Sequence, residues 1–241
     1  MARKTKRKNK TSQRFAEIDK QVDPLKYYTL NEAIDLVKKT ATAKFKESVD
    51  MAVRLGIDAK KSEQNVRGIT NLPHGTGKKT NVAVLANGED IKIAEEAGAD
   101  TVGDDDLIKK IQGGWKAFDV MVATAAMAPQ IGKIGKFLGP KTPNKRNGTV
   151  TTDIAKTVKE IKAATRAEYR IDKAGVIHMG IGKTEYSADQ IRENFNTVLD
   201  AINRARPSST KGKFIVSITL SSTMGPGVKV DSVLAVKGAG G

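Results

Sequence analysis

The chain has 241 residues, with 42 Lys and Arg against 27 Asp and Glu, two His and no Cys. That length holds one large domain or two small ones, and 39% hydrophobic with 29% charged residues is a globular composition. The missing cysteine excludes a disulfide scaffold, a Cys-ligated zinc and a thiol nucleophile; no apolar run approaches the ~18 residues of a membrane span, and the amino terminus lacks the apolar core of a signal peptide. The expectation is a cytoplasmic protein whose net charge of +15 calls for a polyanionic partner.

The charge is unevenly spread. Met1–Lys10 carries six basic residues and no acidic one, while the remainder is only mildly basic. Residues 1–22 read as a basic, flexible tail, either an arm that touches phosphates or a solubilising terminus.

Further along, Thr29-x-x-Glu32 is a capping box, and Leu30, Ala33, Ile34 and Val37 form the helical stripe behind it. Val49, Met51, Val53, Leu55 and Ile57 alternate with polar or small residues, which predicts a half-buried strand. Leu72–Lys79 breaks the periodicity and reads as a linker.

A different grammar starts at Asn81. Val82–Ala86, Thr101-Val102 and Phe118–Ala123 are short apolar strands, with helices expected at Ile91–Ala97, after Asp104 and around Ile154, Val158 and Ile161. Alternating strands and helices predict a parallel, Rossmann-like sheet. From Glu168 the first grammar returns. Tyr169–Asp172 and Val176–Ile181 flank the turn Lys173-Ala-Gly175 as a hairpin. Ser187-x-x-Gln190 caps a long helix through Ile191, Phe195, Val198, Leu199 and Ile202, with Tyr186 and Ile191 placed for a hydrophobic staple. Phe214–Leu220 then alternates, with Phe214, Val216, Ile218 and Leu220 on one side. The fold class expected is α/β: a split α+β domain formed by both chain ends (23–75 and 166–241), with an inserted Rossmann-like parallel α/β domain (76–165) joined by hinge strands near 72–78 and 160–168.

Catalytic and cofactor signatures are missing. No Gly-Lys pair carries the upstream glycine of a Walker loop, and no G-x-G-x-x-G occurs, which counts against a nucleotide-dependent enzyme. His74 and His178 match no catalytic or metal pattern, and an acidic helix start accounts for Asp104–Asp106 without a metal. The chain is expected to be no enzyme, with no cofactor and no metal.

Two segments remain after packing is assigned. Lys44-Phe45-Lys46-Glu47-Ser48 sets an aromatic among lysines before the first strand, although a lone Phe is ordinarily core. Ser217 and Thr219 lie on the polar face of the last strand, which leads through Ser221 to Thr223-Met-Gly225. This face is either solvated or a surface for RNA hydroxyls and phosphates, with Gly225 admitting RNA close to the backbone. A chaperone acting through charge alone would bind any RNA with a steep salt dependence.

The blocks Ala43-Lys-Phe-Lys-Glu-Ser-Val-Asp50, Lys61–Gly68, Leu72-Pro-His-Gly-Thr-Gly77, Gly175–Lys183 and Ser222-Thr-Met-Gly-Pro-Gly227 closely resemble the bacterial large-subunit ribosomal protein L-one family. The resemblance implies a split domain with a Rossmann-like insertion, binding to large-subunit rRNA at the mobile stalk and help in releasing deacylated tRNA from the exit site. It also implies repression of its own operon by binding the mRNA. Such a protein is monomeric within the ribosome, makes no membrane contact and is ribosome-associated in the cytoplasm. Carried over by motif, the rRNA and mRNA contacts fall on Lys44, Phe45, Glu47 and Ser48, and on Ser217, Thr219, Thr223, Met224 and Gly225. One stretch departs from the family pattern: Lys141–Asn147 lacks the Gly-Leu-Met element that usually follows Phe137-Leu-Gly-Pro140 and is two residues shorter. Residues 89–106 hold eight acids and one base, whereas 131–162 hold eight bases and two acids. The tRNA is therefore expected to face Lys133, Lys136, Lys145 and Arg146.

Overall fold

The computed structural model describes residues 12–58, 61–210 and 212–239. The chain opens with α1 (Gln13–Asp19), α2 (Leu30–Thr40), β1 (Ser48–Leu55) and β2 (Arg67–Asn71). The insertion follows as β3 (Val82–Leu85), α3 (Glu89–Glu96), β4 (Thr101–Gly103), α4 (Asp105–Gln112), β5 (Val120–Thr124), α5 (Ala128–Leu138), β6 (Val150–Thr151) and α6 (Ile154–Lys162). The chain then returns as β7 (Arg166–Arg170), β8 (Val176–Lys183), α7 (Ala188–Arg204), β9 (Ile215–Ser222), β10 (Val228–Val230) and α8 (Ser232–Ala239).

Both chain ends build one antiparallel sheet in the order β10-β9-β1-β8. β1, from the first half of the chain, lies between two strands from the second. Helices α2 and α7 bury its inner face in a core holding Ile34, Met51, Ile177, Phe195 and Leu220. Both helices start as their capping boxes predict: Thr29 Oγ1 accepts from the Glu32 N–H at 3.4 Å, and Ser187 Oγ from the Gln190 N–H at 3.1 Å. Tyr186 and Ile191 join the same core.

Three expectations are corrected here. Residues 1–11 lie outside the described residues, but 12–22 are not a loose tail. Ser12 caps α1, and Ile18 and Val22 are buried. Ile18 is the buried residue of α1 and Val22 is buried just beyond its end, single apolar positions hidden in the sequence by the surrounding charge. In β9 the expected alternation slips. Arg54 pairs with Ser217 but Leu55 pairs with Ile215, so Val216 bulges out to 40% exposure while Phe214 and Ile215 are both buried. The expected hairpin keeps its turn, with the Asp172 N–H donating to Val176 O at 2.9 Å. Its strands then diverge after one bridge, Ile171 to Ile177, and β7 pairs instead with β2.

The insertion is a fully parallel sheet, β4-β3-β5-β6. Helices α4 and α5 cover one face through Leu107, Ile111, Ile131 and Ile134, and α3 and α6 the other through Ala94, Ile154 and Val158. This is the three-layer arrangement that buried apolar strands require. The fold is thus α/β, a split α+β domain with an inserted Rossmann-like domain. Helix α5 carries Ile131, Ile134 and Leu138 at helical spacing, while Gly132 and Gly135 lower its intrinsic helix propensity.

The chain crosses between domains at residues 72–80 and 163–165; α6 occupies 160–162, where a hinge strand was expected. The crossings run side by side, with the Leu72 N–H donating to Thr165 O at 2.7 Å and the Thr76 N–H to Ala164 O at 2.9 Å. Gly75 has φ +64°, and a side chain there would meet Ala163 O at 2.9 Å. The fully buried Asn194 of α7 ties this strap down. Its Nδ2 donates to Gly75 O at 3.0 Å and Ile181 O at 2.8 Å, and its Oδ1 accepts from the His74 N–H at 3.1 Å. The shortened loop also reaches back. Arg166 donates to the carbonyls of Asn147 and Gly148, and Arg67 Nη2 donates to Asn147 Oδ1 at 2.5 Å.

Candidate nucleic-acid interface

The two segments that sequence packing left over meet at the end of β1 and β9. The Ser48 N–H donates to Thr223 Oγ1 at 3.0 Å, and the Thr223 N–H donates back to Ser48 O at 3.1 Å. Beside this pair Glu47 is 1% exposed, and its carboxylate accepts the N–H groups of Ala43 and Met224, both at 2.9 Å. Burial pushes this carboxyl up, but the two N–H donors and the facing Arg14 charge together hold it below the usual carboxylate range.

Around this strut the surface is apolar where water would favour polar groups. Phe45 is 55% exposed and Met224 48% exposed, one from each segment. Phe45 is therefore not the core residue that its type suggests. Lys44 is exposed alongside it. Glu47, expected as an RNA contact, is instead buried with both carboxylate oxygens occupied, so it shapes the site from within. Gly225 is also set internally: a Cβ there would lie 2.5 Å from Ser222 Oγ. The close approach at Gly225 is to the Ser222 hydroxyl of the same chain. The Ser222 hydroxyl is buried beside the Glu47 carboxylate and helps to hold its charge.

The outer face of the sheet is uncovered by any described helix. Ser217, Thr219 and Ser221 are half-exposed along β9, opposite Arg54, Ala52 and Asp50 of β1. Lys229 pairs with Thr219 on one side, and His178 with Ala52 on the other. His178 is exposed, not packed, with Nε2 3.8 Å from Asp172 Oδ2. Lys183 Nζ donates to Ser48 Oγ at 3.0 Å. Sequence reasoning missed Arg54, Lys183 and Lys229, because only the register brings them to the hydroxyl row. It also missed Arg14, assigned to the tail.

In the insertion, Lys133 and Lys136 are exposed on one turn of α5, and Lys145 is exposed on the loop that docks against the split domain. The Arg146 side chain lies outside the described residues. Among the described residues, no group of acidic, His or Cys side chains forms a metal cluster, and no helix is long and apolar enough to cross a membrane.

Fold and site together define a two-domain α/β protein that presents an open sheet face of hydroxyls and cations, with exposed apolar side chains at one end. The chain belongs to the Ribosomal protein L1p/L10e family, whose model matches residues 37–226. Membership makes it a large-subunit ribosomal protein that binds rRNA, from a family of structural proteins and not of enzymes.

Proposed function

We propose that the rRNA seats on the split domain, across Lys44, Phe45, Ser48, Thr223 and Met224 and along Ser217 and Thr219, with Glu47 and Gly225 as the scaffold beneath. The observation that carries this is the pair of exposed apolar side chains, Phe45 and Met224, on loops joined by a buried carboxylate. An aromatic ring offers a stacking face for an unpaired base, and the hydroxyls and backbone read sugar and phosphate shape. The protein acts without catalysis, as a monomer within the cytoplasmic ribosome. The same face binds the operon mRNA and so represses translation. The basic side of the insertion, with Lys133, Lys136, Lys145 and Arg146, meets exit-site tRNA and assists its release.

Filter binding at several salt concentrations tests the rRNA site. Met224→Asp, or Thr223→Val with Ser217→Val, is expected to abolish binding to the stalk rRNA fragment and spare unrelated hairpins; equal loss on every RNA refutes it. Met224→Asp is likewise expected to relieve repression of an operon reporter. Changing the four insertion cations together to Gln is expected to alter exit-site occupancy without changing rRNA affinity. Unchanged occupancy ends the tRNA reading.

A further inference from the structure

The amino-terminal helix enters the interface at one point. Arg14 Nη1 donates to Thr42 Oγ1 and Arg14 Nη2 to Met224 O, both at 3.1 Å. The two acceptors belong to different halves of the site: Thr42 precedes the Lys44–Phe45 loop, and Met224 heads the turn after β9. The same guanidinium faces the Glu47 carboxylate, which itself binds the Met224 N–H. Met224 is thus held from both sides of its backbone, its N–H by Glu47 and its carbonyl by Arg14.

Planarity makes arginine suited to this. Two N–H groups diverging from one rigid fork fix the separation of two acceptors, which a flexible ammonium does not. Helix α1 supplies the anchor, because Ile18 is buried four residues further on. Without that docking, Arg14 would have no fixed base from which to reach.

We propose that Arg14 is the positioning residue of the RNA interface: from α1 it sets the span between the Phe45 loop and the Met224 turn, so that the two apolar side chains accept a nucleotide at fixed separation. This rests on the reading of Phe45 and Met224 as the rRNA contact. Arg14 is committed to protein acceptors and to Glu47, so it serves geometry and not phosphate neutralisation. That separates it from an ordinary basic contact, because a phosphate contact would add to the salt dependence of binding.

The test uses the full chain with Arg14→Gln, Arg14→Lys and Thr42→Val, each bound to the stalk rRNA fragment and to an unrelated hairpin across a salt series, with melting followed in parallel. Arg14→Gln is expected to weaken stalk rRNA binding by about 10- to 100-fold. Its affinity for the unrelated hairpin and its salt slope should stay unchanged. Arg14→Lys should restore little. Thr42→Val removes one acceptor with the helix intact, and should give a smaller loss that is not additive with Arg14→Gln. The proposal is overturned if Arg14→Gln leaves stalk binding unchanged, or if it weakens both RNAs alike and lowers the salt slope by about one. Met224→Asp separates the two layers. If it abolishes binding while Arg14→Gln is silent, only the role of Arg14 falls; if Met224→Asp is itself silent, the interface reading falls with it.

Discussion

The Glu47 carboxylate accepts the Met224 N–H at 2.9 Å across 177 positions of sequence, while almost no solvent reaches it. An acid in so dry a place survives because its oxygens are taken by N–H donors, Ala43 supplying the other. The bond joins the two loops whose exposed side chains, Phe45 and Met224, form the proposed RNA surface.

Replacing Glu47 by Gln keeps the shape but turns an amide N–H₂ toward a backbone donor. The expected loss is about 1–3 kcal/mol of folding stability, measured by denaturant titration. The same group gives an acid limb. Its folded pKa lies below the ordinary 4.5, so its contribution is complete above that value and lost as pH falls through the lowered folded value. Melting temperature followed into acid should fall less steeply in Glu47→Gln than in the parent.

Thr223→Val deletes the hydroxyl that accepts the Ser48 N–H and leaves that donor without its partner. A loss of about 1 kcal/mol is expected in denaturation, since the group is near solvent. Amide exchange at Ser48 should rise with it.

Phe45→Ala should weaken rRNA fragment binding by about 1–3 kcal/mol, the range for a stacked base. The ring is mostly exposed, so the melting temperature should hold. A fall in stability with unchanged RNA affinity would make Phe45 a packing residue.

Asn194→Leu strips three hydrogen bonds from the interdomain strap, orphaning Gly75 O, Ile181 O and the His74 N–H. About 3 kcal/mol or more should be lost, and hydrogen exchange should localise the change to residues 72–77.

Arg67→Ala with Arg166→Ala removes the side chains that hold Asn147 and Gly148 against the split domain. The expected outcome is a larger radius of gyration in small-angle scattering, with at most a small fall in melting from the lost Arg67–Glu168 pair.

Local devices were open to sequence reading. Two capping boxes, the alternation of β1 and the apolar strands β3 and β5 each state their structure within a few residues, and the change of grammar at Asn81 showed the insertion. What escaped depends on partners distant in the chain. The bulge at Val216 is a mismatch between β9 and β1, invisible in either strand alone. Short β2 and β10 exist because neighbours pair with them. In the site, Phe45, Thr223 and Met224 were singled out. That Glu47 is a strut, that Gly225 answers to Ser222 and that Arg14 crosses both loops were not, because these are facts of burial and approach.

The strand order carries a consequence for biosynthesis. β1 is made early, yet both strands that flank it, β8 and β9, come only after the whole insertion. The Ser48 N–H must wait for a hydroxyl 175 positions later, and Glu47 for an amide two further on than that separation. On an emerging chain the parallel insertion, whose strand partners all lie within residues 82–151, can fold while β1 still has both edges bare. The proposed RNA-binding surface therefore cannot assemble until β9 and the turn that follows it have been made.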